Sequence, residues 1–230
     1  MKGCFIVIEG VDGSGKGTQT RQLVKRLKKE GYDVLEADFP RYGQKSALMV
    51  EEYLNGRLGT IDEINAYQAS TLYAIDRFCA AKELQDHLNK GGIIISNRYT
   101  TANLVHQATK IIDTKELDVF LEWIEDLEYN KLKIPRPDKV IFLNMHYLIG
   151  QSLVSKKGLR KYLAQDTTHD LHESDKNHLK KAYEQACSLV KRYDEWEEIL
   201  CFEGDRPKSI EEIHEQVYNL AIKTVQETNE

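Results

Sequence analysis

A chain of 230 residues, 41% hydrophobic and 30% charged, carries enough apolar side chain for an ordinary core and falls within the size of one α/β domain, which excludes a disordered or fibrous protein. Thirty-two Lys and Arg against 37 Asp and Glu leave a net charge of −5, so a broad polyanion-binding face is excluded, no nucleic-acid partner is expected, and any phosphate site must be local. Cys4, Cys79, Cys187 and Cys201 are scattered without a C-x-x-C pair or a secretory leader, and no apolar run approaches the ~18 residues that cross a bilayer; a cytoplasmic protein without membrane contact is expected.

In chain order, short apolar runs alternate with longer amphipathic stretches, the pattern of a parallel α/β sheet. Cys4–Glu9, Val34–Phe39, Ile93–Ser96, Val140–Leu143 and Ile199–Phe202 read as five strands. Lys16–Glu30 is predicted as a helix, with Leu23, Val24 and Leu27 on one face and Gly31 at its C-cap. Asp62 is the expected N-cap of a long helix reaching Lys90, which Gly91 and Gly92 close. Thr114–Asn130 and Asp175–Trp196 read as further helices, and Ser209–Val225 as a last one led by a Ser209/Glu212 capping box. Lys156–Thr168 is polar, basic at its start and poorly periodic, and reads as a mobile flap. Residues 1–230 are therefore expected to form a single domain with a flap at 155–172.

Directly after the first strand, and opening the first helix, stands Gly10-Val11-Asp12-Gly13-Ser14-Gly15-Lys16-Gly17-Thr18. In that context it is a phosphate-binding loop: the glycines let the backbone curl so that successive N–H groups converge at the positive end of a helix. Lys16 is the expected catalytic point charge on the β- and γ-phosphates of ATP. Gly17 stands where a Ser or Thr usually holds Mg²⁺, so Thr18 or a water must substitute. Asn130-Lys131-Leu132-Lys133 lacks the Asp of a guanine reader, which disfavours a GTPase switch.

From Phe5 to about Asp175 the chain resembles thymidylate kinases. In that family an Asp stands where Asp12 does and meets the acceptor sugar. Phe39-Pro40-Arg41-Tyr42-Gly43 looks like the second-strand motif, whose Arg approaches the acceptor phosphate. Leu72-Tyr73-Ala74-Ile75-Asp76-Arg77 resembles the helix whose aromatic stacks on thymine and whose Arg bonds the base carbonyl. Asn97-Arg98-Tyr99 sits where the family has Asp-Arg-Tyr, and Ile134-Pro135-Arg136-Pro137-Asp138 matches the loop before the fourth strand. By the same resemblance Asn103 meets the pyrimidine edge, His106 lies near the sugar and base where an aromatic is common, and His172 stands for a Tyr. Glu173 lies near the acceptor sugar or a magnesium ion.

The chemistry of these residues agrees. A guanidinium at a strand's carboxyl end, as at Arg98, suits bidentate capture of a monophosphate. Tyr73 and Arg77, four apart on one helix face, can address one base. Gly13 replaces the loop Arg of some family members; the flap residues Lys156 and Arg160 supply positive charge instead. His169-Asp170-Leu171-His172 is too local for a closed zinc site. Asn97 brings no negative charge where the family uses Asp, so Mg²⁺ is expected to rest on Asp12, Thr18, Asn97 and Glu173, partly through water.

The expectation is therefore a three-layer α/β phosphate-loop NTPase fold: a five-stranded parallel sheet flanked by helices, with a helical LID flap. The implied activity is in-line transfer from ATP to dTMP with Mg²⁺, using Lys16, Asp12, Arg41, Arg98, Arg160 and Glu173. Phe39 and Tyr42 join the acceptor site and Arg206 the adenine side. The resemblance also implies a homodimer. The alternatives are a kinase of another nucleotide or nucleoside, and a nucleotide-binding regulatory protein with weak catalysis.

Overall fold

Every residue of the first strand, Cys4–Glu9, is buried, so both faces of the sheet it sits in must be covered. The computed structural model describes residues 2–60, 63–154 and 176–229. Its sheet comprises β1 (Cys4–Glu9), β2 (Val34–Asp38), β3 (Ile93–Asn97), β4 (Lys139–Asn144) and β5 (Trp196–Leu200), all parallel in the order β2-β3-β1-β4-β5. Strand alternation divides the core: Cys4, Ile6 and Ile8 face one way, Phe5 and Val7 the other.

On the first side pack α1 (Lys16–Lys29), through Leu23, Val24 and Leu27, and α7 (Ile210–Glu227), through Ile213, Val217 and Leu220. The other side takes α3 (Ala66–Asn89), α4 (Thr114–Glu125) and α6 (Lys176–Arg192), which contribute Leu84, Phe120 and Leu189 among others. The short α2 (Leu48–Leu54) lays Val50, Tyr53 and Leu54 against Ala69 of α3, and α5 (Tyr147–Val154) follows β4. Parallel strands joined by such crossovers leave their carboxyl ends on one edge, where a ligand site forms.

Boundaries shifted where local chemistry outweighed periodicity. Asp62 lies outside the described residues, and α3 starts later than expected, at Ala66: Asn65 and Gln68 form the reciprocal capping box. The helix expected through Asn130 keeps α-helical pitch only to Glu125 and continues as a wider π-helical turn, Asp126–Lys131. α6 ends at Arg192, short of Trp196, because β5 already begins at Trp196 rather than Ile199. This edge strand buries only Trp196 and Ile199, so its pattern imitates a helix. A two-stranded hairpin, β6 (Phe202–Glu203) with β7 (Arg206–Pro207), follows it. The Ser209/Glu212 box at the head of α7 stands as expected.

Candidate active site

Between β1 and α1 the chain wraps around its own lysine. Lys16 Nζ donates to the carbonyls of Gly10 at 2.7 Å and Val11 at 3.0 Å, and lies 3.8 Å from Asp12 Oδ1. Gly13 has a positive φ of 85°, and a Cβ there would come within 2.1 Å of the Gly150 carbonyl. The loop therefore lies directly on α5, and the absence of an arginine side chain at position 13 is a packing requirement of this arrangement. Gln19, on α1, donates to the carbonyl of Ile210 at 3.0 Å, which ties the start of α7 to the helix that follows the loop.

Arg98 follows β3 directly and adopts a φ of 63°, a conformation that costs energy for a residue with a side chain and recurs at functional sites. Its Nη2 donates to Asp12 Oδ1 at 2.7 Å. One carboxylate thus bridges the cations of Lys16 and Arg98. Burial alone would lower the Arg98 pKa, but the carboxylates of Asp12 and Glu9 outweigh it, so the group is held above its ordinary value and stays charged. Glu9 is itself buried, accepting from the Gly10 N–H at 2.9 Å and the Thr101 hydroxyl at 2.6 Å.

A cavity of about 300 Å³ runs from this charged end to an apolar and amide-bearing end. Asp12, Lys16 and Arg98 line the first; Tyr73, Arg77, Asn103 and His106 line the second, with Phe39 and Tyr42 between. The structure thus brings together most of the residues expected from sequence. Arg77 is fully buried, and Glu128 holds it with two short bonds, 2.5 Å to Nε and 2.7 Å to Nη2. His106 stacks on His178 of α6 with ring centroids 5.5 Å apart.

Arg41 is not brought into this cavity. Its Nε donates to Asp76 Oδ1 at 3.2 Å and its Nη2 to Ser46 at 2.9 Å, and it lines a neighbouring cavity beside Gln44 and Glu83. Arg206 is exposed on β7, and Thr18 is half-buried on the first turn of α1 without lining the cavity. Lys156, Arg160, His172 and Glu173, with the expected flap, lie outside the described residues.

Sequence reasoning missed three carboxylates. Asp76, 1% exposed, anchors Arg41, and Glu128 anchors Arg77. Asp38 ends β2 in register with Asn97, whose Nδ2 donates to Asp38 Oδ1 at 2.8 Å, and both line the cavity beside Gly17. The signal for Asp38 was an acid at the carboxyl end of a strand adjoining the phosphate loop. The protein packed around this carboxylate raises its pKa; Asn97, Arg98 and Lys16 pull the other way, and its access to solvent mutes the shift.

These donors fit a hard divalent cation. Asn97 Oδ1 is buried without a hydrogen-bond partner among the described residues, and Asp38 adds the negative charge that an amide lacks. Among the described residues no group of three or more His, Cys, Asp or Glu forms a closed cage. Magnesium is usually bound through one or two carboxylates, waters and substrate phosphates, and Asp38 with Asn97 offers donors of that kind.

A loop shaped to hold a polyphosphate, opening onto a cavity that ends in hydrogen-bonding side chains, puts the chain in the phosphate-loop class of α/β nucleotide-binding proteins. The thymidylate kinase family profile matches residues 8–217, and the chain belongs to that family. The probable thymidylate kinase of Thermococcus onnurineus is 31% identical over 220 residues, covering 94% of this chain and 96% of that protein. The thymidylate kinase of Mycobacterium tuberculosis is 32% identical over 140 residues, 60% of this chain; the match spans 64% of that relative's length. The solved thymidylate kinase of Candida albicans shares the fold, with a TM-score of 0.71 at 19% identity over 97% of this chain and 94% of that one. Among the described residues no helix is long and apolar enough to cross a membrane.

Proposed function

We propose that this chain transfers the γ-phosphoryl group of ATP to dTMP, forming dTDP and ADP in one in-line step. The observation that carries the reading is that one cavity has Lys16, Asp12 and Arg98 at one end and Tyr73, Arg77 and Asn103 at the other. Lys16 leaves the loop carbonyls for the transferring phosphoryl group and follows its charge. Arg98 turns from Asp12 to the acceptor phosphate, and Asp12 addresses the acceptor sugar or the cation. Tyr73 stacks on the base while Arg77 and Asn103 read its edge. Asp12 and Asp38, with Asn97 through water, would hold a magnesium ion, whose charge would offset the repulsion between donor and acceptor phosphates.

Residues 1–230 act as one kinase domain in a reducing cytoplasm. Burial pushes the thiols of Cys4 and Cys201 up to about 12, so neither is a ready nucleophile. Ile75 and Phe78 are exposed on α3, an apolar step that a homodimer would cover.

The test is transfer of radiolabel from [γ-32P]ATP to dTMP, resolved by thin-layer chromatography. Wild type yields labelled dTDP, and Lys16→Met lowers the rate roughly 100-fold or more. Absence of labelled dTDP with wild type contradicts the proposal.

A further inference from the structure

Glu128 touches neither the cavity nor the phosphate loop, yet it is completely buried and takes three hydrogen bonds from the two residues at the base end. It stands on the π-helical turn Asp126–Lys131, whose wider pitch continues α4 and carries the carboxylate behind Arg77 and Asn103. Arg77 directs Nε and Nη2 at its two oxygens, and Nη1 at the Tyr99 carbonyl at 3.2 Å. Three of the five guanidinium N–H bonds are thereby used, and the remaining two belong to a side chain that lines the cavity. Asn103 Nδ2 donates at 3.1 Å to Glu128 Oε1 and at 3.2 Å to the carbonyl of Ser70.

A carboxylate and a carbonyl can only accept, so whichever end of the Asn103 amide faces them must be the NH₂ group. The amide orientation is therefore fixed chemically, and Oδ1 is the atom left for a ligand. We infer that Glu128 is a specificity-positioning residue: by holding the amide of Asn103 and the fork of Arg77, it presents an acceptor beside a donor and so selects a pyrimidine with N3–H and a 4-oxo group against one with bare N3 and a 4-amino group. The inference rests on the proposed function and names the base edge that its acceptor nucleotide carries. A cytosine ring would set its N3 lone pair against Oδ1 and its amino hydrogens against Arg77, leaving buried polar groups mispaired on both sides. Such mispairing is the strongest discrimination a site can build.

Glu128→Gln tests this, because an amide can both donate and accept: the Ser70 carbonyl alone is left to hold the Asn103 NH₂, and the charge that fixes the Arg77 fork is gone. The selectivity for dTMP over dCMP, taken as the ratio of kcat/KM values, is expected to fall at least tenfold, while the ratio of dTMP to dUMP, which share the read edge, holds. A merely structural role would depress all three substrates together and leave both ratios unchanged. Glu128→Asp keeps the charge opposite Arg77 if the glutamine variant does not fold; its shorter reach loosens Asn103, and an intermediate fall in the dTMP/dCMP ratio is expected. A folded variant of either kind that keeps the wild-type dTMP/dCMP ratio overturns the inference. Calorimetric dissociation constants of dTMP and dCMP for wild type are read alongside: a preference under tenfold for dTMP also overturns it, whether or not turnover occurs. Preferential binding of dTMP without turnover would contradict the proposed activity and leave the inference standing.

Discussion

Asp38 and Asn97 are register partners at the carboxyl ends of adjacent parallel strands, joined by a 2.8 Å bond from Asn97 Nδ2 to Asp38 Oδ1. Asn97 brings an amide without negative charge, and Asp38 brings a carboxylate directly beside it on the neighbouring strand. Exchanging the two residues should therefore preserve the donor set. Asp38→Asn is expected to weaken Mn²⁺ binding to the enzyme–ATP complex about 10-fold or more, and Asp38→Asn/Asn97→Asp to recover most of it. Electron paramagnetic resonance titration of Mn²⁺ reads this without turnover; equal affinities for all three proteins would remove Asp38 from the cation site.

The pH dependence of that binding follows from the same carboxylate. Its folded-state pKa is raised, so a proton competes with the cation at a higher pH than at an ordinary Asp. Cation affinity is complete above the raised pKa and is lost as pH falls through it. In Asp38→Asn this acid limb should shift to lower pH, which a set of Mn²⁺ titrations from pH 7.5 to about pH 4.5 would show.

Gly17 offers room for the hydroxyl that phosphate loops usually carry at this place. Among the described residues, a Cβ there meets only Arg21 Nη1 at 3.4 Å and Asn97 Nδ2 at 3.9 Å, ordinary contacts. Gly17→Ser is expected to raise Mn²⁺ affinity several-fold, and to raise stability by about 0.5 kcal/mol because serine suits a helix better than glycine. Titration together with thermal unfolding checks both.

The phosphate loop was legible because its chemistry is local: glycines and a lysine between an apolar strand and an amphipathic helix leave little choice of structure. Tyr73, Arg77, Asn103 and Arg98 were legible through ordered motifs and do share a cavity. What escaped was the partner of each cation. Glu128 lies 51 residues from Arg77, and Asp76 lies 35 residues from Arg41, so no local pattern announces either pair. Asp38 looked like the polar end of a strand, and only the register of β2 on β3 places it beside Asn97. The start of β5 was misread for a similar reason, since an edge strand burying Trp196 and Ile199 has the spacing of a helix face.

Packing of the loop on α5 predicts an intolerant pair of glycines. Gly13→Ala would place a methyl 2.1 Å from the Gly150 carbonyl at a φ of 85°, and Gly150→Ala a methyl 2.6 Å from the Asp12 carbonyl. The left-handed backbone alone costs about 1–2 kcal/mol at position 13, and the contact adds to it. Gly13→Ala should lower stability by more than about 2 kcal/mol, and both variants should weaken ATP binding, as unfolding curves and nucleotide titration would show.

The most direct test of the account is the rate of ADP release with ATP, Mg²⁺ and each of dTMP, dUMP, dCMP, dGMP and AMP in turn, for wild type and Arg77→Ala. The account predicts that dTMP gives the highest kcat/KM and that Arg77→Ala abolishes its advantage. Turnover of another monophosphate with dTMP inert, or of none, would contradict it.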